Sequence, residues 1–117
     1  MIAMLRGKVA SLHNDNITLD VNGVGYLVYV TKLDLSNLVL EQEYTLHIST
    51  IVREDAINLF GFTVASNREI FDILRSVNKV GPKLAMGILG SITVQDLASA
   101  VQSKNTSVLT KIPGIGK

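Results

Sequence analysis

Apolar residues recur at every second position in the first half of this chain and at helical spacing in the second, and the change falls between Thr63 and Ser66. A fold built on one period throughout is therefore excluded. Ile17, Leu19 and Val21 alternate with Thr18 and Asp20, as in a strand with one buried face. Asn22-Gly23 follows, a pair that tolerates the positive φ angles of a type I′ hairpin turn. The returning strand is expected over Tyr26 to Val30, further strands over Tyr44 to Val52 and Ala56 to Phe62, and an apolar first strand over residues 2–10. Leu33 to Leu38 reads as a short helix or a turn. Five short strands in about 60 residues predict a small closed or nearly closed β barrel, with the OB-fold the leading candidate.

The second half has helical grammar. Ser66 with Glu69 three residues on has the form of a capping box, and Ile70, Phe71, Leu74 and Val77 then share one helical face. Gly81-Pro82 opens the next helix, because proline is tolerated at a first helical position, and Gly90 is expected to end it. Thr93 with Asp96 resembles a second capping box. The predicted fold class is an OB-type β barrel over residues 1–63 followed by an all-α helix-hairpin-helix unit over residues 64–117, α+β overall.

Charge separates the same two stretches. Residues 1–63 carry four basic groups against seven acidic, a net of −3, whereas residues 64–117 carry seven against three, a net of +4. The helical stretch is the one suited to approach phosphate. It also contains an internal echo: Lys79-Val80-Gly81-Pro82-Lys83 aligns with Gly114-Ile115-Gly116-Lys117. Each copy has a glycine that brings backbone close to a phosphate, an apolar residue that plugs the hairpin, and a lysine entering the next helix. One such hairpin is more often an ordinary helix connection. Two, both basic, point to backbone contacts with DNA, which carry no base information.

Other chemistries fit poorly. Gly116-Lys117 lacks the earlier glycine of a Walker A loop, since Lys111 stands there, and Gly23-Val24-Gly25 lacks the third glycine of a dinucleotide fingerprint, since Val28 occupies its place. No cofactor is expected. The absence of cysteine removes disulfides and thiolate metal sites, and no apolar run approaches the ~20 residues of a membrane helix, so a cytoplasmic address is expected. His13 and His47 are read as half-exposed strand residues. Glu54 and Asp55 are a poor Mg²⁺ pair for a nuclease, because adjacent strand residues point to opposite faces. A single-strand-binding barrel would need aromatic platforms in a basic groove, yet this barrel is acidic, and Phe60 and Phe62 read better as core. Leu35, Leu38, Val39 and Leu40 fit a subunit interface or barrel core equally well. A generic duplex-binding hairpin module remains the main alternative.

The whole chain resembles the RuvA family. The resemblance rests on Leu5-Arg6-Gly7, Val21-Asn22-Gly23-Val24-Gly25-Tyr26, Val52-Arg53-Glu54-Asp55-Ala56, Phe60-Gly61-Phe62, Val80-Gly81-Pro82-Lys83-Leu84-Ala85 and Ile112-Pro113-Gly114-Ile115-Gly116-Lys117, in the family's order and spacing. It implies a non-catalytic homotetramer that holds four-way (Holliday) junction DNA open during recombination and repair. It also implies that the RuvB motor ATPase is recruited through a C-terminal domain lying beyond Lys117. By the same resemblance Glu54 and Asp55 match an acidic pin, and Lys79, Val80, Gly81, Pro82, Lys83, Gly114, Ile115, Gly116 and Lys117 match the DNA-holding hairpins. Lys79 departs from the family, whose first hairpin normally has glycine there. The chain stops where the second hairpin's final helix should begin, so a fragment of a longer protein is expected.

Overall fold

The computed structural model describes residues 1–91. Five strands close into a barrel: β1 (Met4–Leu12), β2 (Asn16–Val21), β3 (Val24–Tyr29), β4 (Glu43–Val52) and β5 (Ile57–Phe62). Their order around the barrel is β1-β2-β3-β5-β4, with β4 returning to pair with β1. All pairings are antiparallel except β3 with β5. A short helix, α1 (Lys32–Asn37), connects β3 to β4. This is the OB-fold. Two helices follow, α2 (Ala65–Ser76) and α3 (Pro82–Ser91).

The β2–β3 hairpin forms as the residues dictate. Asn22 and Gly23 both take positive φ, 52° and 90°, and the Gly23 N–H donates to the Asp20 carboxylate at 2.7 Å. Inward residues Val9, Ile17, Leu19, Val28 and Leu46 are fully buried and fill the barrel. Gly61 also faces inward, where an added Cβ would stand 2.5 Å from a Val28 methyl, so only glycine lets β5 lie this close to β3.

The outer face of β5 is covered as well. Phe60 and Phe62 leave the barrel on its far side and pack with Ile51 against Ile70, Phe71 and Leu74 of α2 and Ala85, Ile88 and Leu89 of α3. Tyr29, Phe60, Phe71 and Phe62 stack in series, with ring centroids 5.3, 5.2 and 5.1 Å apart. Phe60 and Phe62 are core residues, as expected.

Polar contacts lock the same joint. Thr31 caps α1 by accepting from the Asp34 N–H. The buried Asp34 carboxylate then accepts from both the N–H and the hydroxyl of Thr63, at 3.2 and 2.9 Å. Ser49 on β4 donates to Asp72 on α2 at 2.8 Å, and the Arg68 guanidinium reaches the Ala3 carbonyl.

Several boundaries differ from expectation. The first strand runs Met4–Leu12 rather than 2–10, although the Ala3 carbonyl still accepts from the Ile48 N–H. The third begins at Val24 because the two-residue turn ends at Gly23. Ser66 and Glu69 form no capping box. Asp34 fixes Thr63, the Asn67 N–H donates to the Val64 carbonyl, and the helix starts at Ala65 with no side-chain cap. Gly90 does not end α3, which includes Ser91, and Gly90 lies against the start of α1, 3.5 Å from the Lys32 backbone in the direction of a Cβ. His13 lies exposed in the bend after β1, outside any strand, whereas His47 is half-buried on β4 as expected. The Leu35–Leu40 cluster divides: Leu38 is buried and Leu35 packs on the barrel core, while Val39 and Leu40 are exposed. The Thr93–Asp96 capping box lies outside the described residues.

Candidate nucleic-acid interface

The connection between α2 and α3 is a tight hairpin. The Val77 N–H donates to Leu74, ending α2, and the Val80 N–H donates back to the Val77 carbonyl at 3.1 Å. Within that turn only Lys79 has positive φ, 69°, which is the pattern of a type II turn and the place where glycine is ordinarily required. Val80 is buried among the residues of both helices and seats the hairpin. Gly81 then caps α3, its carbonyl accepting from the Ala85 N–H at 3.0 Å, and Pro82 takes the first helical position.

The two positions divide the labour. Gly81 does not take a positive φ; the left-handed residue is Lys79. What Gly81 supplies is room: it is exposed, and nothing lies within 4 Å of the Cβ it lacks. Lys79 and Lys83 are exposed on either side of it, and no acidic residue occupies the first turn of α3. Backbone N–H groups at a helix start, lacking intrahelical acceptors, face outward beside two ammonium groups.

The left-handed lysine has a measurable cost. Lys79→Gly is expected to relieve roughly 1–2 kcal/mol of backbone strain, partly offset by roughly 0.5–1 kcal/mol for glycine's freer unfolded chain. Denaturant titration should show a small net gain in stability. No gain would mean that the lysine side chain stabilises the turn in compensation.

Glu54 and Asp55 sit at the tip of the β4–β5 hairpin. Arg53 and Ala56 exchange backbone hydrogen bonds of 2.7 and 3.4 Å across them, leaving both acids fully in the loop and exposed. They are thus bend residues and not adjacent strand residues, which removes the opposite-faces argument against a shared metal. A separate fact bears on that question: among the described residues no three His, Asp or Glu side chains gather as a metal site.

A groove of about 680 Å³ runs between the barrel and α3, and its lining includes Arg53, beside the acidic tip, together with Gly81, Pro82 and Lys83 of the hairpin. The groove thus joins Arg53, the neighbour of the acidic tip, to the Gly81–Lys83 part of the first hairpin. Gly114, Ile115, Gly116 and Lys117 lie outside the described residues. Sequence reasoning missed Lys32, which lines the same groove, and the Thr31–Asp34–Thr63 clamp. The clamp had a signal in Thr31-x-x-Asp34, the spacing of a capping motif.

A five-stranded OB barrel with a basic helix-hairpin-helix fixed to its outer wall defines a class of nucleic-acid-binding proteins. Comparison with known families gives the particular member. Residues 1–61 match the family model of the RuvA N-terminal domain, and residues 71–117 match that of the SAM-like helix-hairpin-helix tandem. This chain belongs to the RuvA family. It is 46% identical over 117 residues to the Holliday junction branch migration complex subunit RuvA of Trichlorobacter lovleyi, covering 100% of this chain and 58% of that protein. The proteins of the same name from Pelobacter propionicus and Pseudomonas syringae pv. syringae are each 45% identical, again across 100% of this chain and covering 59% and 58% of their own lengths. The chain thus spans a little under three-fifths of these relatives. Among the described residues no helix is long and apolar enough to cross a membrane.

Proposed function

We propose that this chain binds four-way junction DNA by structure and not by sequence, as part of the recognition subunit of a branch-migration complex in recombination and repair. The observation that carries the reading is the exposed Lys79–Lys83 hairpin at the start of α3, in a chain whose relatives are named for the junction. In this reading residues 1–63 supply the barrel and pin, and residues 64–117 the DNA grip. Amides at the start of α3 donate to a phosphate oxygen in the space above Gly81, and Lys79 and Lys83 neutralise the charge. Val80 and Pro82 shape that seat. Gly114, Ile115, Gly116 and Lys117 supply a second grip of the same chemistry.

Four copies around an axis place the Glu54 and Asp55 carboxylates at the crossover, where they repel a continuous duplex while separated strands pass between them. The subunit acts in the cytoplasm as a homotetramer, without cofactor or catalysis of its own. The RuvB motor ATPase is its partner, through a domain outside this chain.

The test compares binding to a labelled four-way junction with binding to linear duplex of the same arm sequence, at one salt concentration. A preference for the junction of tenfold or more is expected, on the order of the discrimination that electrostatic complementarity supplies. Equal affinity would reduce the chain to a generic duplex-binding hairpin module.

A further inference from the structure

The groove between α3 and the barrel holds charge that the hairpin and the pin do not account for. Arg53, Lys32 and Lys83 line it, against one carboxylate, Asp15. All three cations are exposed, and none is paired with a carboxylate among the described residues, where the ion pair present joins Arg75 to Asp72. Lys32 is held in place by its backbone: it opens α1 directly after the Thr31 cap, and the last turn of α3 lies against it.

The wall between Lys83 and Lys32 is unusually bare. Lys83, Gly87 and Gly90 follow at i, i+4 and i+7 on the groove-lining side of α3, and the missing Cβ of Gly87 would meet nothing within 4 Å. From Lys83 to Gly90 is about 10 Å along the helix. Tyr29, half-buried and stacked on Phe60, provides an apolar floor. A smooth wall, an apolar floor and cations at both ends suit a polyanionic strand and would repel a basic one.

We propose that this groove carries the sugar-phosphate backbone onward from the first hairpin, and that Lys32 is a phosphate contact additional to the hairpin lysines. The inference rests on the DNA-binding reading given above. It extends the footprint from the helical half onto the barrel, whose acidic net charge conceals it.

The experiment measures the affinity of the protein for a labelled four-way junction between 50 and 200 mM salt, where each neutralised phosphate contributes about 0.9 to the slope of log K against log salt. Each variant removes one contact per copy, so in the proposed tetramer Lys32→Gln should lower the slope by about 3–4, and Lys83→Gln by a similar amount. Lys8→Gln, on β1 and away from the groove lining, should leave it unchanged, and Lys32→Arg should retain the parent slope. A Lys32→Gln slope equal to the parent's, with Lys83→Gln reduced, overturns the groove and leaves the hairpin reading intact. An equal loss with Lys8→Gln also overturns it, because net charge alone would then explain the effect. A parent protein whose binding does not respond to salt would instead sink the DNA-binding reading itself.

Discussion

Phe71→Ala is expected to remove about 3–5 kcal/mol of stability, a large share of what a domain of this size possesses. Phe71 is fully buried and is the one ring in contact with both Phe60 and Phe62. Its loss leaves a cavity between α2 and the barrel wall that Leu74 and Ile70, themselves packed on the same cluster, are badly placed to fill. Urea titration should show the midpoint falling sharply. Ile73, on the same helix but 44% exposed, gives the comparison: Ile73→Ala should stay within about 0.5 kcal/mol of the parent. If the two variants unfold together, the aromatic stack is not what joins the helices to the barrel.

The double change Glu54→Ala with Asp55→Ala should have the opposite character, leaving stability alone and altering selectivity. Both acids are exposed at a hairpin tip closed by backbone bonds of Arg53 and Ala56, so neither supports the fold. In the proposed tetramer the change removes eight carboxylates from the centre, and with them a repulsion worth several kcal/mol against a duplex crossing it. Affinity for linear duplex should rise by about tenfold or more, while affinity for the junction changes less. Binding of both DNAs at one salt concentration checks this. An unchanged ratio would mean that the acids lie too far from the strands to discriminate between them.

Much of this architecture was legible because local chemistry and global fold agreed. Asn22-Gly23 specified its turn, and with it the register of β2 on β3. Phe60 and Phe62 read as core because they share one face of a strand in an acidic barrel. The failures have physical causes of a different kind. Ser66 and Glu69 carry a sound local signal, but the Asp34–Thr63 bonds, formed between residues 29 positions apart, decide where α2 begins. Gly90 lies inside α3, against the start of α1, so its role there is close approach and not termination. Leu38 and Leu40 are two residues apart and the same type, yet only the first turns inward. In the candidate site the spacing of glycine and lysine was readable. The left-handed backbone at Lys79 agrees with the glycine that the family normally carries there. Lys32 escaped notice because its role depends on α3 lying beside it.

β5 has no solvent-facing side between Leu59 and Phe62, since the barrel interior takes one face and the helices the other. Mechanically this makes the strand a weld and not a hinge. A pull applied at Lys83 would pass through α3 and the aromatic stack directly into the barrel wall. The protein would answer such a load by moving as one piece, keeping the distance from grip to pin constant while the strands slide.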